Sequence, residues 1–157
     1  MCEPTLLSLG KYTNPYLYCA LCMLAEWPER VLALFGDQRV NQEGVYYVSL
    51  CRDGVWRYVI VDDFMPVKSM AGRKQMLFLH GREDEKGVEL WAALVEKAIA
   101  KIYGTYLDLA MVREDGMIDL FKMLTGVPAS IYQLNKDFRS FLILIDAALK
   151  RNHVVTL

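Results

Sequence analysis

The stretch VYYVSLCRDGVWRYVIV, residues 45–61, predicts a β-hairpin and is the clearest structural signal in the sequence. Two runs of β-branched and aromatic residues flank Asp53-Gly54, a dipeptide that favours a two-residue turn between antiparallel strands. Asp62-Asp63 ends the second run, so we expect strands at 45–51 and 55–61. The aromatic side chains of these strands are expected to serve cross-strand packing; they are Tyr46, Tyr47, Trp56 and Tyr58.

Helical patterns surround the hairpin. Asn14 is a good N-cap, and Pro15 suits the first helical position, where its missing N–H is not needed. Gly104 and Gly126 suit the C-terminal caps of two later helices. The predicted helices cover 15–26, 28–35, 88–103, 117–124 and, after a cap at Asp137, 138–149. A short strand at 76–79, an entry loop at 5–13 and the start of a strand at 154–157 complete an α+β chain.

The composition excludes several classes of protein. Lys and Arg total 18 against 19 for Asp and Glu, so nucleic acid is not an expected partner. Four cysteines are too few for a secreted disulfide framework, and the N-terminus lacks the features of a signal peptide. No window approaches the ~18 apolar residues of a membrane-spanning helix. We therefore expect one domain over 1–157 in the reducing cytoplasm.

Hydrophobic residues make up 54% of the chain, which is high for a domain without a membrane segment. Two explanations are open at this point. The core is large for the length, or part of the apolar surface lies against another protein surface.

Cys19 and Cys22 have the spacing of a redox or metal-binding pair. However, no second Cys or His pair completes a zinc site, and both residues lie inside an apolar helix rather than at its start. Buried cysteine commonly acts as a small hydrophobic residue. We therefore expect both side chains to pack in the core, with a thiol redox or metal-sensing role as the alternative.

Three stretches together resemble one protein family. They are NQEGVYYVSLCRDGVWRYVIVDDFMPV at 41–67, ELWAALVEKAIAKIYGTYLDL at 89–109 and LTGVPASIYQL at 124–134, joined to LAEWPER at 24–30. Their order and spacing resemble the first catalytic lobe of calpain-type, papain-like cysteine proteases. The resemblance implies the mostly helical first lobe of that fold, with an active-site-type helix and a small antiparallel sheet.

The resemblance also implies that the catalytic residues are missing. The family's active-site helix begins Gly-Asp-Cys-Trp, and counting back from Leu24-Ala25-Glu26 puts Asn14 on the Asp and Pro15 on the nucleophilic Cys. Leu9 falls on the Gln of the oxyanion hole and has no donor to offer. The family's glycine-rich, substrate-binding stretch falls on the bulkier residues 110–112. The family's catalytic His and Asn belong to a second lobe, and we expect 1–157 to be a fragment that ends where that lobe starts.

One calcium site of the family maps onto Glu89, but its partner acid maps onto Leu6. Because calcium takes ~6–8 oxygen ligands, half a site implies weak binding at most. No other cofactor is expected.

These expectations leave three functions open. The first is a non-catalytic, calpain-like pseudoprotease module with a structural or protein-interaction role. Its partner would be another protein or the rest of the parent chain, bound across the former cleft face. The expected location is the cytoplasm, and association with the cytoskeleton is one option. The second is a fragment of a calcium-dependent cysteine endopeptidase whose catalytic residues are supplied elsewhere. The third is the thiol domain based on Cys19 and Cys22.

Overall fold

A computed structural model describes residues 7–37, 39–40, 42–70, 73–81, 83–84, 87–132, 138–151, 153 and 155. The α-helices in these ranges are α1 (Pro15–Ala25), α2 (Pro28–Ala33), α3 (Trp91–Tyr103), α4 (Tyr106–Ala110), α5 (Met117–Thr125) and α6 (Phe138–Lys150). The strands are β1 (Leu7–Ser8), β2 (Val45–Arg52), β3 (Val55–Asp62), β4 (Val67–Met70), β5 (Arg73–Met76), β6 (His80–Gly81), β7 (Glu83–Asp84) and β8 (Gly87–Val88). The fold class is α+β, as predicted.

The strands form small antiparallel pairs, β1 with β6, β2 with β3, β4 with β5 and β7 with β8. The β2–β3 hairpin is the longest and runs from Arg52 opposite Val55 to Val45 opposite Asp62. Asp53 and Gly54 have φ of 55° and 77°, as a two-residue turn of type I′ requires. The predicted hairpin is therefore confirmed. Of its four aromatic residues, only Tyr46 is buried, and cross-strand packing of the other three, which are exposed, stays a prediction.

Helix α3 lies at the centre of the core. One face of this helix, formed by Trp91, Leu94, Val95, Ala98 and Ile102, is buried, except that Ile102 is only half-buried. Positions on the other sides, such as Ala93 and Ile99, are buried too. Because neighbours cover α3 on nearly every side, short alanine side chains let the hairpin and α4 approach its backbone closely.

Most predicted helices are confirmed, including α1, α5 with its left-handed Gly126 cap, and α6. The Asp137 cap and most of the predicted strand at 154–157 lie outside the described residues. Helix α4 was missed, although Thr105 caps it by accepting the Asp108 N–H. Among the described helices, none is both long and apolar enough to span a bilayer.

Three predictions about the short strands and their neighbours are wrong. Helix α3 begins at Trp91 rather than 88, since residues 87–88 pair with 83–84. Of the segment predicted as a strand at 76–79, only Met76 lies in one, as the last residue of β5, which pairs with β4. The entry loop contains β1, which pairs with β6 and so ties the N-terminal segment to the sequence before α3.

A buried carboxyl group connects α3 to the segment that carries β6. Glu96 is 1% exposed, and its Oε2 accepts a hydrogen bond from the Leu79 N–H at 2.6 Å. Burial raises the pKa of Glu96 from 4.5 to about 7, although hydrogen bonds from the Leu79 N–H and the Thr13 side chain act in the opposite direction. Glu96 is thus a buried polar contact between α3 and the segment before β6.

We expect Glu96→Gln to reduce the pH dependence of stability. The folded state binds this proton more tightly than the unfolded state, so the stability contribution of Glu96 is complete below pH 4.5 and is lost as pH rises to about 7. The corresponding change in the free energy of unfolding is about 3 kcal/mol. Urea unfolding at pH 5 and pH 8 measures it, with Glu29→Gln on the exposed side of α2 as the control. Equal pH dependence in Glu96→Gln and the parent chain would contradict this expectation.

Candidate functional site

The start of α1 is fixed by the side chain of Asn14, which is buried. Its Oδ1 accepts hydrogen bonds from the N–H groups of Tyr16 and Leu17 at 2.9 and 3.1 Å, which is the N-cap geometry predicted from the sequence. Its Nδ2 donates to the carbonyl oxygens of Leu109 and Val112 at 3.0 and 2.8 Å. All four hydrogen-bonding positions of the amide are used, and the first turn of α1 is thereby joined to the end of α4.

Of the three positions predicted to correspond to the catalytic apparatus, Pro15 and Met111 adjoin this junction in the chain, whereas Leu9 belongs to the segment before it. Pro15 occupies the first position of α1 and is exposed. Met111, in the stretch aligned with the family's glycine-rich segment, follows α4 and is 71% exposed. Leu9 follows β1 and is 52% exposed. Gly10, next to it, passes so close to the Phe78 backbone that a Cβ there would lie 2.3 Å from it, which attaches this segment to residues 77–81.

These side chains offer no group for acyl transfer. Pro15 has neither a thiol nor an N–H, and Leu9 and Met111 have no strong hydrogen-bond donor. A cysteine-protease reaction requires a thiolate nucleophile and donors that stabilise the oxyanion. The described contacts join Pro15 to the 109–112 segment through Asn14, whereas Leu9 is connected to residues 77–81 instead.

The two cysteines of α1 differ in burial. Cys19 is exposed, so the expected core packing is wrong for this residue, whereas Cys22 is half-buried and packs against the core. The reason is the position of α1 at the surface, where residues 15 and 19 share the outer side of the helix. Burial raises the pKa of the Cys22 thiol, although the hydrogen bond with Tyr18 acts against this effect. A raised pKa makes Cys22 a weaker nucleophile at neutral pH.

Glu89 is held by its neighbours beside the start of α3. Its Oε2 accepts a hydrogen bond from the Trp91 indole N–H at 3.3 Å, and its backbone oxygen accepts from the Gly81 N–H. Leu6, the position assigned to the partner acid, lies outside the described residues. Within the described part of the chain, no group of three or more His, Cys, Asp or Glu side chains is arranged to hold a metal ion.

The polar residues of α3 were not predicted from the sequence. Glu96 binds the backbone before β6, and Lys97 binds the end of β3 through the Asp62 carboxylate at 2.5 Å and the Phe64 carbonyl at 2.8 Å. The available signal was a Glu-Lys pair inside an apolar helix. Because α3 has little solvent-facing surface, both side chains bind backbone groups of neighbouring segments.

The sequence matches the profile of the calpain family of cysteine proteases over residues 2–157. Mouse calpain-8 is 34% identical over 115 residues, and the human calpain-2 catalytic subunit is 32% identical over 126 residues. A maize calpain-type cysteine protease, DEK1, is 31% identical over 130 residues.

The chain belongs to the calpain family.

The match covers most of this chain but little of its relatives. It includes 73% of this chain and 15% of mouse calpain-8, and 80% of this chain and 17% of the human calpain-2 catalytic subunit. For the maize protein the shares are 76% and 6%. Membership in the calpain family therefore describes this segment, and the activity of a whole calpain does not follow from it.

We expect Asn14→Asp, which introduces the residue of the family motif, to destabilise this chain. The carboxylate still accepts from Tyr16 and Leu17, but it has no donor for the Leu109 and Val112 carbonyls and places negative charge beside them. The expected loss is about 2–3 kcal/mol in the free energy of unfolding at pH 7. Asn14→Ser, a neutral cap without the two donors, separates the effect of charge from that of the lost hydrogen bonds. Urea unfolding that gave Asn14→Asp the stability of the parent chain would contradict this prediction.

Proposed function

We propose that this chain is a non-catalytic calpain-like module, a pseudoprotease lobe that acts as a structural or protein-interaction domain. The observation that carries the proposal is the start of α1. The Asn14 cap defines the first helical position, and that position, which the family motif gives to the nucleophilic cysteine, is occupied by Pro15. Proline preserves the helix start and has no atom that attacks a carbonyl group.

The neighbouring positions support the same proposal. Leu9 stands where the resemblance expects the oxyanion-hole Gln, and an alkyl side chain gives no hydrogen bond to a tetrahedral intermediate. Met111 stands where the resemblance expects glycine. A long side chain there hinders the close backbone approach that an extended substrate would need.

Exposure of these side chains favours an interaction role. Leu9 and Met111 are large apolar residues that solvent reaches, and Leu107 on α4 is exposed as well. Exposed apolar side chains on the segments that the resemblance assigns to a cleft are more suited to permanent contact with a partner than to repeated substrate release. We propose that a protein partner, or the remainder of a longer parent chain, covers this side.

The principal alternative is a fragment of a calpain-type cysteine endopeptidase whose catalytic residues lie elsewhere. This chain covers only a small share of its relatives' length, so this alternative also has to be tested. The thiol-based alternative gains less support, because the pKa of Cys22 is raised rather than lowered. Reactive thiol pairs depend on a depressed pKa in at least one member.

We expect no peptidase activity, with or without calcium. Loss of a nucleophile or an oxyanion donor each reduces the rate by orders of magnitude. The assay is turnover of a fluorogenic peptide by the 157-residue chain, with Cys19→Ser and Cys22→Ser as matched variants. Calcium-dependent turnover that Cys19→Ser abolishes and Cys22→Ser retains would favour the protease alternative with Cys19 as an unconventional nucleophile.

Calcium is expected to bind weakly or not at all. Glu89 supplies at most two of the ~6–8 oxygens that the ion requires, and its Oε2 already accepts from Trp91. Calorimetric titration of the chain and of Glu89→Ala is expected to give the same result, without saturation below about 1 mM calcium. Micromolar affinity that is lost in Glu89→Ala, but kept in Glu29→Ala, would reveal other ligands and contradict the expectation.

Leu9→Glu and Met111→Glu are expected to reduce self-association or hydrophobic-dye binding of the isolated chain. Both side chains are exposed, so a charge there removes apolar surface while the core stays intact. Val40→Glu is the control, because Val40 is exposed in the loop between α2 and β2. Light scattering measures self-association, dye fluorescence measures exposed apolar surface, and urea unfolding measures whether the core stays intact. A monomer that binds no dye before any substitution would contradict an interaction role for this side.

A further inference from the structure

The two edges of the β2–β3 hairpin differ in how their backbone groups are satisfied. On β2, the Ser49 N–H donates to the Leu34 carbonyl at 2.6 Å, and the Tyr47 carbonyl accepts from the Gly36 N–H at 3.3 Å. The segment that follows α2 therefore covers this edge. No described segment pairs with the opposite edge, formed by β3.

The register identifies which groups of β3 point outward. Because the turn has two residues, Arg52 and Val55 form a hydrogen-bonded pair, and every second pair along the ladder does so too. Arg57 and Val59 thus bond to β2, whereas the N–H and C=O groups of Trp56, Tyr58 and Ile60 point away from it. Lys101 satisfies the outward Ile60 carbonyl at 3.0 Å. The backbone groups of Trp56 and Tyr58 have no hydrogen-bond partner in the described part of the chain.

The side chains beside this edge are apolar and exposed. Trp56, Tyr58 and Ile60 alternate with the inward-bonded residues, so they line the same face of the hairpin. Their exposed fractions are 49%, 70% and 50%. A strand that adds to a sheet edge uses both features. The unpaired backbone groups provide affinity, and the exposed side chains beside them select the sequence of the added strand.

A groove with excess positive charge continues the edge at its Ile60 end. It has a volume of about 240 Å³ and is lined by β3, the last turns of α3 and the start of α4. Its charged residues are Lys97, Lys101 and Asp62, which give a net charge of +1. Lys97 is bound to Asp62, whereas no described acidic side chain pairs with Lys101. The groove therefore suits a single acidic side chain rather than a drug-sized ligand, whose sites are typically ~300–1,000 Å³.

We propose that the outer edge of β3 binds an extended segment of a partner protein by β-strand addition, with an acidic residue of that segment against Lys101. The segment pairs with the outward N–H and C=O groups of Trp56 and Tyr58. Its apolar residues lie against the exposed rings, and its acidic residue enters the groove. This edge belongs to elements other than those that carry Leu9 and Pro15, so the inference does not depend on whether the lobe is catalytic.

The test uses the ¹⁵N-labelled chain and the capped peptide acetyl-Thr-Val-Thr-Val-Thr-Glu-amide. Pairing is expected to slow amide hydrogen exchange at Trp56 and Tyr58, while Arg57, already bonded to β2, changes little. Two N-methylated peptides give a matched comparison, one modified on both valines and the other on the two later threonines. Only alternate N–H groups of a bound strand face the edge, so N-methylation blocks pairing in one of these peptides and leaves it intact in the other. We expect the blocked peptide to bind at least about ten-fold more weakly than the parent peptide, and the other peptide to bind within about three-fold of it.

Variants of the chain provide the second part of the test. Tyr58→Pro removes the outward N–H without removing a β2–β3 hydrogen bond, and Tyr58→Val is its control because it keeps that N–H. Lys101→Glu is expected to weaken binding of the Glu-ended peptide about five-fold and to leave binding of a Gln-ended peptide unchanged. Lys122→Glu, an exposed position on α5, is the control.

Three results would overturn the proposal. The first is no amide change at 1 mM peptide, and the second is equal sensitivity to the two N-methylated peptides. The third is a dimer that forms without peptide and disappears in Tyr58→Pro, which would make a second copy of the chain the occupant of the edge.

Discussion

The side-chain amide of Asn14 is the contact on which the arrangement of this lobe depends. Its donors and acceptor join two segments 95 or more residues apart in sequence, the first turn of α1 and the carbonyl groups at the end of α4. A buried amide whose four positions are all satisfied tolerates little displacement, because each lost partner leaves a polar group without water. The relative position of α1 and the 109–112 segment is therefore set by one residue, and these are the two segments that the calpain resemblance places at the cleft.

Helix α3 provides the second constraint, and it acts through polar groups inside an apolar element. Glu96 holds the backbone before β6, and the next residue, Lys97, holds the end of the hairpin. These two side chains leave the helix on different sides, since successive positions are about 100° apart. A single turn of α3 thus attaches both the N-terminal segment, through β6 and β1, and the β2–β3 hairpin.

The sequence was sufficient for the elements that local chemistry determines. Three such features were predicted correctly, the Asp53-Gly54 turn, the Asn14 cap and the Gly126 cap. Each requires a backbone conformation that few residue types favour, so the residue type alone indicated it. Tertiary features were less accessible. The pairing of residues 7–8 with 80–81 depends on contacts distant in sequence, and neither segment has a strand pattern long enough to reveal it. Cys19 was expected in the core because α1 is apolar throughout, and helical periodicity could not indicate which side faces solvent. The family resemblance supplied the candidate site positions, for which composition and spacing gave no independent signal.

The Pro15 ring has a consequence for anions as well as for nucleophiles. The start of a helix attracts negative charge because its first N–H groups have no partner within the helix. In α1, position 15 has no N–H at all, those of Tyr16 and Leu17 are bonded to the Asn14 side chain, and that of Tyr18 is bonded to the Asn14 carbonyl. Every amide of the opening turn is absent or occupied. The N-terminus of α1 therefore has no free N–H group to bind a carboxylate, a phosphate or an oxyanion. The two residues that begin the helix, Asn14 and Pro15, are the cause.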